Sequence, residues 1–444
     1  MALLAPSVSP APFAASKTKE HQNQASQNYF EERPLSQAHK NDTDNLFPFR
    51  PDFGYIPIMK DPGNEFFYWH FKSKSKSPQN DPVLIWLQGG PGCASETGLF
   101  RELGPFKIDQ KTGKVLERAE SWNQNANLVF LDQPLGTGFS TVTTGHVALD
   151  HQTVQKQFLL FYENFLNKYP EYRGRKVYVT GESYGGHWIP YASYALMQSN
   201  NPDIDFGGMI IGNGMINGRT KYASLASFSY KNRKWTKFTE EDFQNFSRFG
   251  RLCVHLGNRE PNWLYYVTPK EVCNQYFSDM VEKATANYPK FDEYYMPGFD
   301  EKSRFAEFLN REDVKKYLGV TKKFVDCNET FGPIFSRQDY FVDARQFIVP
   351  ILKNGYKVWV FDGDLDFTCN YQQEEETLRN MVWDGQIAWN RKNLEDCEYG
   401  LCKVVKNLRY IRFAGAGHMV PIFHPTKALE MINEFLRWNW RESD

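Results

Sequence analysis

Six short apolar runs, at residues 83–87, 128–131, 177–179, 209–211, 358–361 and 410–413, constrain this chain more than any other feature. Most are nearly continuous in Val, Ile, Leu, Phe, Tyr or Trp, with no polar alternation, as strands buried on both faces of a parallel sheet require. Helical patterns lie between them. Val154, Phe158, Phe161 and Phe165 line one face of such a segment before Pro170 stops it, and 428–438 reads the same way. A hairpin precedes the series, with strands at 55–59 and 65–71 around a turn at 61–64. The pattern predicts an α/β chain with a doubly wound, mostly parallel central sheet and an antiparallel hairpin at its edge.

The stretch 217–325 breaks that rhythm. It is rich in aromatics, carries Cys253 and Cys273, and contains helix starts such as Thr239-Glu240-Glu241-Asp242. It reads as a helical lid inserted between a first core segment, 46–216, and a second, 326–444. With 444 residues, one core plus a satellite is expected. Residues 1–45 read as a disordered leader or propeptide. Ala2 to Ala15 is apolar enough for a signal segment but has no basic start and is broken by Pro6, Pro10 and Pro12.

Charge excludes some partners. Lys and Arg total 52 against 53 Asp and Glu, without a basic stripe, so nucleic acid is not expected. No run approaches the roughly 20 apolar residues of a membrane helix. Monomer and homodimer both stay open. The seven cysteines form no metal-type pair and allow either three bridges and one thiol or a fully reduced set. Sequons at Asn41, Asn245 and Asn328 fit secretory passage.

The chemistry begins at Gly181-Glu182-Ser183-Tyr184-Gly185, which follows the run at 177–179 and precedes a helical pattern. That strand-turn-helix setting is the one a nucleophile elbow needs, and a sharp turn there leaves little room for a Cβ two residues to either side of Ser183. A serine nucleophile needs a base, and the base an orienting acid, both on loops after later strands. Asp366, in Gly363 to Asn370, and His418, in Gly415 to Pro421, occupy those loops, with Asp362 and Asp364 as competing carboxylates. An oxyanion hole would take one N–H from Tyr184 and one from Gly90, in the glycine-rich loop Gln88-Gly89-Gly90-Pro91-Gly92. None of this chemistry calls for a metal or cofactor.

These residues fall in ordered blocks from about residue 48 to 440: Leu84 to Cys93, Glu102 to Pro105, Ser121 to Asn123, Phe130 to Ser140, Gly181 to His187, Gly212 to Gly214, Gly363 to Asn370 and Gly417 to Pro421. The set resembles the serine carboxypeptidase family of the α/β-hydrolase fold. The resemblance implies an exopeptidase acting on peptide or protein C-termini, with a vacuolar, lysosomal or secreted home. It implies that Trp86, Gln88, Gly89 and Glu182 bind the substrate's terminal carboxylate, and that Met419 and Cys369 line the pocket of the departing residue. It further implies bridges Cys93–Cys327 and Cys253–Cys273 with Cys369 as a thiol open to mercurials, which leaves Cys397–Cys402. A carboxylate beside Glu182 requires a shared proton, hence acid pH. Gln88 stands where the family has asparagine, so the shorter amide is expected to improve peptide cleavage. An acyltransferase or esterase, or a non-catalytic chaperone-like binder, are the alternatives on the same fold.

Overall fold

The computed structural model describes residues 46–442 apart from 60–61, 258–268, 299–303 and 339–340. The leader at 1–45 and the sequon at Asn41 lie outside the described residues. Among those described, twelve strands form: β1 (Asp52–Pro57), β2 (Glu65–Phe71), β3 (Val83–Leu87), β4 (Phe106–Ile108), β5 (Val115–Glu117), β6 (Asn127–Leu131), β7 (Lys176–Ser183), β8 (Asp205–Gly214), β9 (Lys357–Gly363), β10 (Glu395–Cys397), β11 (Gly400–Val405) and β12 (Leu408–Phe413).

Ten of them make one sheet in the order β1-β2-β6-β3-β7-β8-β9-β12-β11-β10. The six predicted apolar runs are its centre, and all five pairings from β6 through β3, β7, β8 and β9 to β12 are parallel. The predicted hairpin β1–β2 closes one edge antiparallel. The other edge carries a second antiparallel extension, β10–β11–β12, that the sequence reading did not anticipate. Its strands are short and half exposed, with Lys and Glu interrupting the apolar pattern, as suits an edge.

Alternate side chains of each central strand enter different cores. Ile85, Leu87, Val179, Ile211 and Val360 face α1 (His151–Lys168) and α2 (Gly185–Gln198), whereas Leu84, Trp86, Phe130, Ile210 and Phe361 share a core with Met431, Ile432 and Phe435 of the C-terminal helix. The predicted stripe Val154, Phe158, Phe161 and Phe165 is the buried face of α1, whose start is capped by Asp150 accepting from Thr153 N at 2.7 Å.

Between β8 and β9 the chain forms a separate small core. Tyr222, Leu225 and Phe228 of α3 (Gly218–Lys231) meet Phe238, Tyr276, Met280, Phe291 and Met296, with Cys253 and Cys273 disulfide-bonded inside it. Phe367 and Tyr371, from the loop and helix after β9, belong to this cluster too.

Phe161 is fully buried, with its ring 5.7 Å from Phe66 and 6.2 Å from Tyr68. Phe161→Ala should destabilise the fold by about 3–5 kcal/mol in urea denaturation, the cost of a large unfilled core site, while the folded fraction keeps its activity.

Candidate active site

Ser183 ends β7 with φ of 61°, a left-handed conformation that a non-glycine residue adopts only when its surroundings impose it. α2 starts two residues later, so Tyr184 stands at a helix N-terminus, where backbone N–H groups favour developing negative charge. The turn is tight on one side. A Cβ at Gly181 would lie 1.9 Å from the Leu87 carbonyl oxygen, whereas one at Gly185 would lie 3.3 Å from the same atom. The steric demand therefore falls chiefly on Gly181, because that residue is still in the β3–β7 ladder. On the loop after β3, a Cβ at Gly89 would lie 2.5 Å from the Ser183 Cβ and 2.7 Å from Tyr184 N. Only glycine lets this loop lie against the serine.

The adjoining residues are held by a disulfide between Cys93 and Cys327 and by hydrogen bonds from Ala94 N to Asp326 O (2.7 Å) and Asn328 N to Gly92 O (2.9 Å). Cys397 and Cys402 form the third bridge, and Cys369 is a buried thiol whose pKa burial pushes up, then the nearby acidic groups. That environment suppresses the thiolate and opposes the expected ready reaction with mercurials.

Of the three aspartates that compete after β9, only Asp366 is bonded to His418, with Oδ2 accepting from Nδ1 at 2.7 Å. Both side chains are buried. Asp364 instead accepts from Gly415 N at 2.7 Å, and Asp362 from the Tyr410 hydroxyl at 2.9 Å. Asp366 also accepts from Asn213 Nδ2 at 2.8 Å and from Cys369 N at 3.2 Å. Asn213 owes its aim to an irregularity in the sheet. Glu182 pairs with Gly212 but Ser183 with Gly214, so Asn213 is the extra residue, and its φ is 38°. Such a bulge redirects a side chain, here toward the neighbouring loop.

Beside the serine lies a chain of buried polar groups. Trp86 Nε1 donates to Gln88 Oε1 at 2.7 Å, and Gln88 Nε2 donates to Glu182 Oε1 at 2.7 Å, with Glu102 Oε1 at 3.5 Å. Indole nitrogen only donates, which fixes the amide with its oxygen toward Trp86. Burial, followed by the neighbouring Glu102 carboxyl, raises the Glu182 pKa well above its ordinary value. Burial also raises that of Glu102, against the opposing pull of its hydrogen bond to Glu182 and of Arg101 and His418. Both carboxyls are thereby pushed toward the protonated form. Neither Glu102 nor Asn213 was singled out from sequence: both sit inside the blocks that carry the resemblance, but a single Glu or Asn has no spacing to mark it. Met419 follows His418 directly and is half-buried at the start of the helix Val420–Phe423.

A mostly parallel sheet with a serine elbow after its fifth strand in spatial order and a bonded Asp–His pair after the seventh and eighth defines an α/β-hydrolase. Residues 41–438 match the serine carboxypeptidase family as a whole. Carboxypeptidase Y homolog A of Sordaria macrospora is 30% identical over 406 residues, covering 87% of this chain and 73% of its own, and that of Arthroderma otae 30% over 401 residues, covering 84% and 72%. A prohormone-processing carboxypeptidase of Saccharomyces cerevisiae superposes with a TM-score of 0.72 at 23% identity, covering 87% of this chain and 90% of that one. The chain belongs to the serine carboxypeptidase family, and it is a serine-type carboxypeptidase that acts on peptide C-termini.

The carboxyl pair has a consequence for stability. A carboxyl whose folded pKa exceeds its unfolded value near 4.5 keeps its proton in the folded state above that pH. Its contribution is fully present below about pH 4.5 and is lost as pH rises through the folded value. Urea denaturation at pH 5 and pH 8 should show a fall for the wild type, and Glu182→Gln should lose less, by up to about 1.4 kcal/mol per pH unit over the window in which the proton is released.

Proposed function

We propose that Ser183, His418 and Asp366 act as nucleophile, base and orienting acid in removing C-terminal residues one at a time. The Asp366–His418 hydrogen bond of 2.7 Å is the observation that carries this reading. With Nδ1–H held by the carboxylate, His418 Nε2 is the acceptor of the Ser183 proton as Oγ attacks the carbonyl of the last peptide bond. The N–H groups of Gly90 and Tyr184 stabilise the oxyanion, His418 then protonates the departing amino acid, and water attacks the acyl-enzyme in a second round. Ser183→Ala should abolish turnover, and Asp366→Asn should lower kcat about 10³–10⁴-fold, whereas Asp364→Asn should stay near wild type. Equal losses at the two aspartates on a blocked dipeptide would refute the assignment.

The exopeptidase preference is assigned to Gln88, Gly89 and Glu182, with Glu102 joining them as the second carboxyl of the pair and Trp86 fixing the Gln88 amide. A substrate carboxylate entering beside the pair adds a third acidic group, which binds well only while protons are shared. Activity is therefore greatest at acid pH. Met419 and Cys369 are assigned to the pocket of the departing side chain, and the part of 217–325 that forms the small core to a lid over the cleft; its last part, from Phe305 to Phe324, packs instead in the main core with Trp69 and Phe106. Acid activity and the disulfides favour a vacuolar, lysosomal or secreted compartment. For glycosylation, Asn245 is exposed, whereas the Asn328 amide already donates to Gly136 O at 3.2 Å.

The bonding of Gln88 argues against the expected gain from a shorter amide. Its amide spans Trp86 and Glu182 with 2.7 Å bonds at both ends, so a side chain shorter by a methylene leaves one of them unmade. Gln88→Asn should lower kcat/KM for free-terminus peptides about tenfold, as one buried hydrogen bond to a charged or acidic group is worth, and change hydrolysis of an ester lacking a free carboxylate within about twofold. Parallel assays of both substrates at one acid pH decide it, and an improved peptidase would contradict the bonded arrangement.

A further inference from the structure

The segment Asp292–Met296, which ends the small core between β8 and β9, is bonded to both loops that carry the proposed acid and base. Asp292 Oδ1 accepts from Tyr294 N at 2.7 Å and Tyr295 N at 3.1 Å, which folds the segment back on itself. Its carbonyl groups serve the neighbouring loops. Glu293 O accepts from Phe367 N and Thr368 N, each at 3.1 Å, and from Thr368 Oγ1 at 3.2 Å. Tyr294 O accepts from His418 N at 2.7 Å, and Met296 N donates to Leu365 O at 3.1 Å. The residues on either side of Asp366 and the backbone of His418 are thus tied to one strap.

Side chains repeat the connection. The Tyr294 ring lies 5.2 Å from the His418 imidazole at 53°, and Tyr295 stacks at 4.5 Å on Phe423, in the helix just after His418. Phe291 and Phe277 pack on Phe367 at 5.4 and 5.6 Å. Tyr295 and Phe291 have evident packing reasons to be aromatic. Tyr294 is different, because it is 42% exposed and loses much of the hydrophobic benefit of burial, yet its ring is spent on the imidazole.

We propose that Tyr294 is a positioning residue for His418, holding the imidazole plane in the orientation that takes and returns the serine proton, so that the inserted segment completes the catalytic centre. This rests on the assignment of His418 as the base. Asp366 fixes one edge of the ring through Nδ1, but a single hydrogen bond leaves rotation about its own direction open. The Tyr294 ring against the imidazole restricts that rotation, the bond to His418 N holds the backbone from which the ring extends, and displacement by about 1 Å at a reacting group can cost on the order of 100-fold in rate.

The test compares Tyr294→Ala and Tyr294→Phe with the wild type on peptides differing in their last residue, and separately in inactivation by diisopropyl fluorophosphate, a probe that needs Ser183 and its base but no peptide subsite. Tyr294→Ala should lower kcat about 10–100-fold with KM within about threefold, and slow phosphorylation of Ser183 in proportion. Tyr294→Phe, which keeps the ring, should recover kcat to within about threefold of wild type. Unchanged kcat in Tyr294→Ala would overturn the proposal. So would a KM that rises according to the last residue while phosphorylation keeps its wild-type rate, since Tyr294 would then line the cleft without orienting His418. Wild-type enzyme that is not labelled on Ser183 would instead sink the nucleophile assignment itself, and is read directly from the mass of the labelled peptide.

Discussion

Parallel pairing of six neighbouring strands is the constraint from which the rest of this molecule follows. Leu87 is level with Gly181, Ile211, Val360 and Tyr410, so β3, β7, β8, β9 and β12 end within about three residues of one another along one sheet edge. Strand spacing of about 4.8 Å then sets how far apart the emerging loops begin. Gln88 and Gly89 leave β3, Ser183 leaves β7, Asn213 sits in the end of β8, and Asp366 and His418 follow β9 and β12. No side chain has to travel far to meet its partner. The irregularity at Asn213, the second of two register shifts between β7 and β8, adds a link to Asp366 that regular pairing would have pointed elsewhere.

Several acidic groups are buried around this edge, and burial raises their pKa values. Besides Glu102 and Glu182, Glu96 lies beside Asp132, and Asp362 beside Glu374. Burial raises the pKa of Glu96 and Asp362 well above the ordinary range, and that of Glu374 to about 8. Each pair has donors nearby: Trp69 Nε1 reaches Glu96 at 3.0 Å, Ser95 N and Phe139 N reach Asp132 at 3.0 and 2.8 Å, and Tyr410 reaches Asp362. The donors satisfy some oxygens, and burial together with the neighbouring carboxyl favours the protonated form, since two close buried carboxylates cannot both ionise cheaply.

What was legible in the sequence was what depends on local pattern. Apolar runs announce the six central strands because a strand buried on both faces has no polar alternation to hide it, and the elbow is readable because Gly181 is forced by the Leu87 carbonyl. Asp366, Asp364 and Asp362 could not be separated by order along the chain; only the direction in which each side chain leaves its turn distinguishes them. Strands β10 and β11 escaped notice because an edge hairpin carries charge on a short, half-buried pattern. Glu102 was invisible for a different reason. Its partner Glu182 lies 80 residues away, and their proximity is set by the packing of the segment Gly98–Glu102 against Trp86, which no spacing rule expresses.

The insertion adds a dependence between parts that the sheet alone does not have. Phe367, one residue from Asp366, is buried in the insertion's core, and the carbonyl groups of Glu293 and Tyr294 take the N–H groups of Phe367, Thr368 and His418. Were the insertion to lift away, those N–H groups would lose their partners inside a poorly solvated region, at a cost of about 1–3 kcal/mol for each buried donor left unmade. The loops would relax to recover hydrogen bonds, and the Asp366–His418 geometry would relax with them. The segment Asp292–Met296 is thereby part of what holds the Asp366–His418 pair in place, so any motion of the insertion that keeps that pair intact must spare these hydrogen bonds.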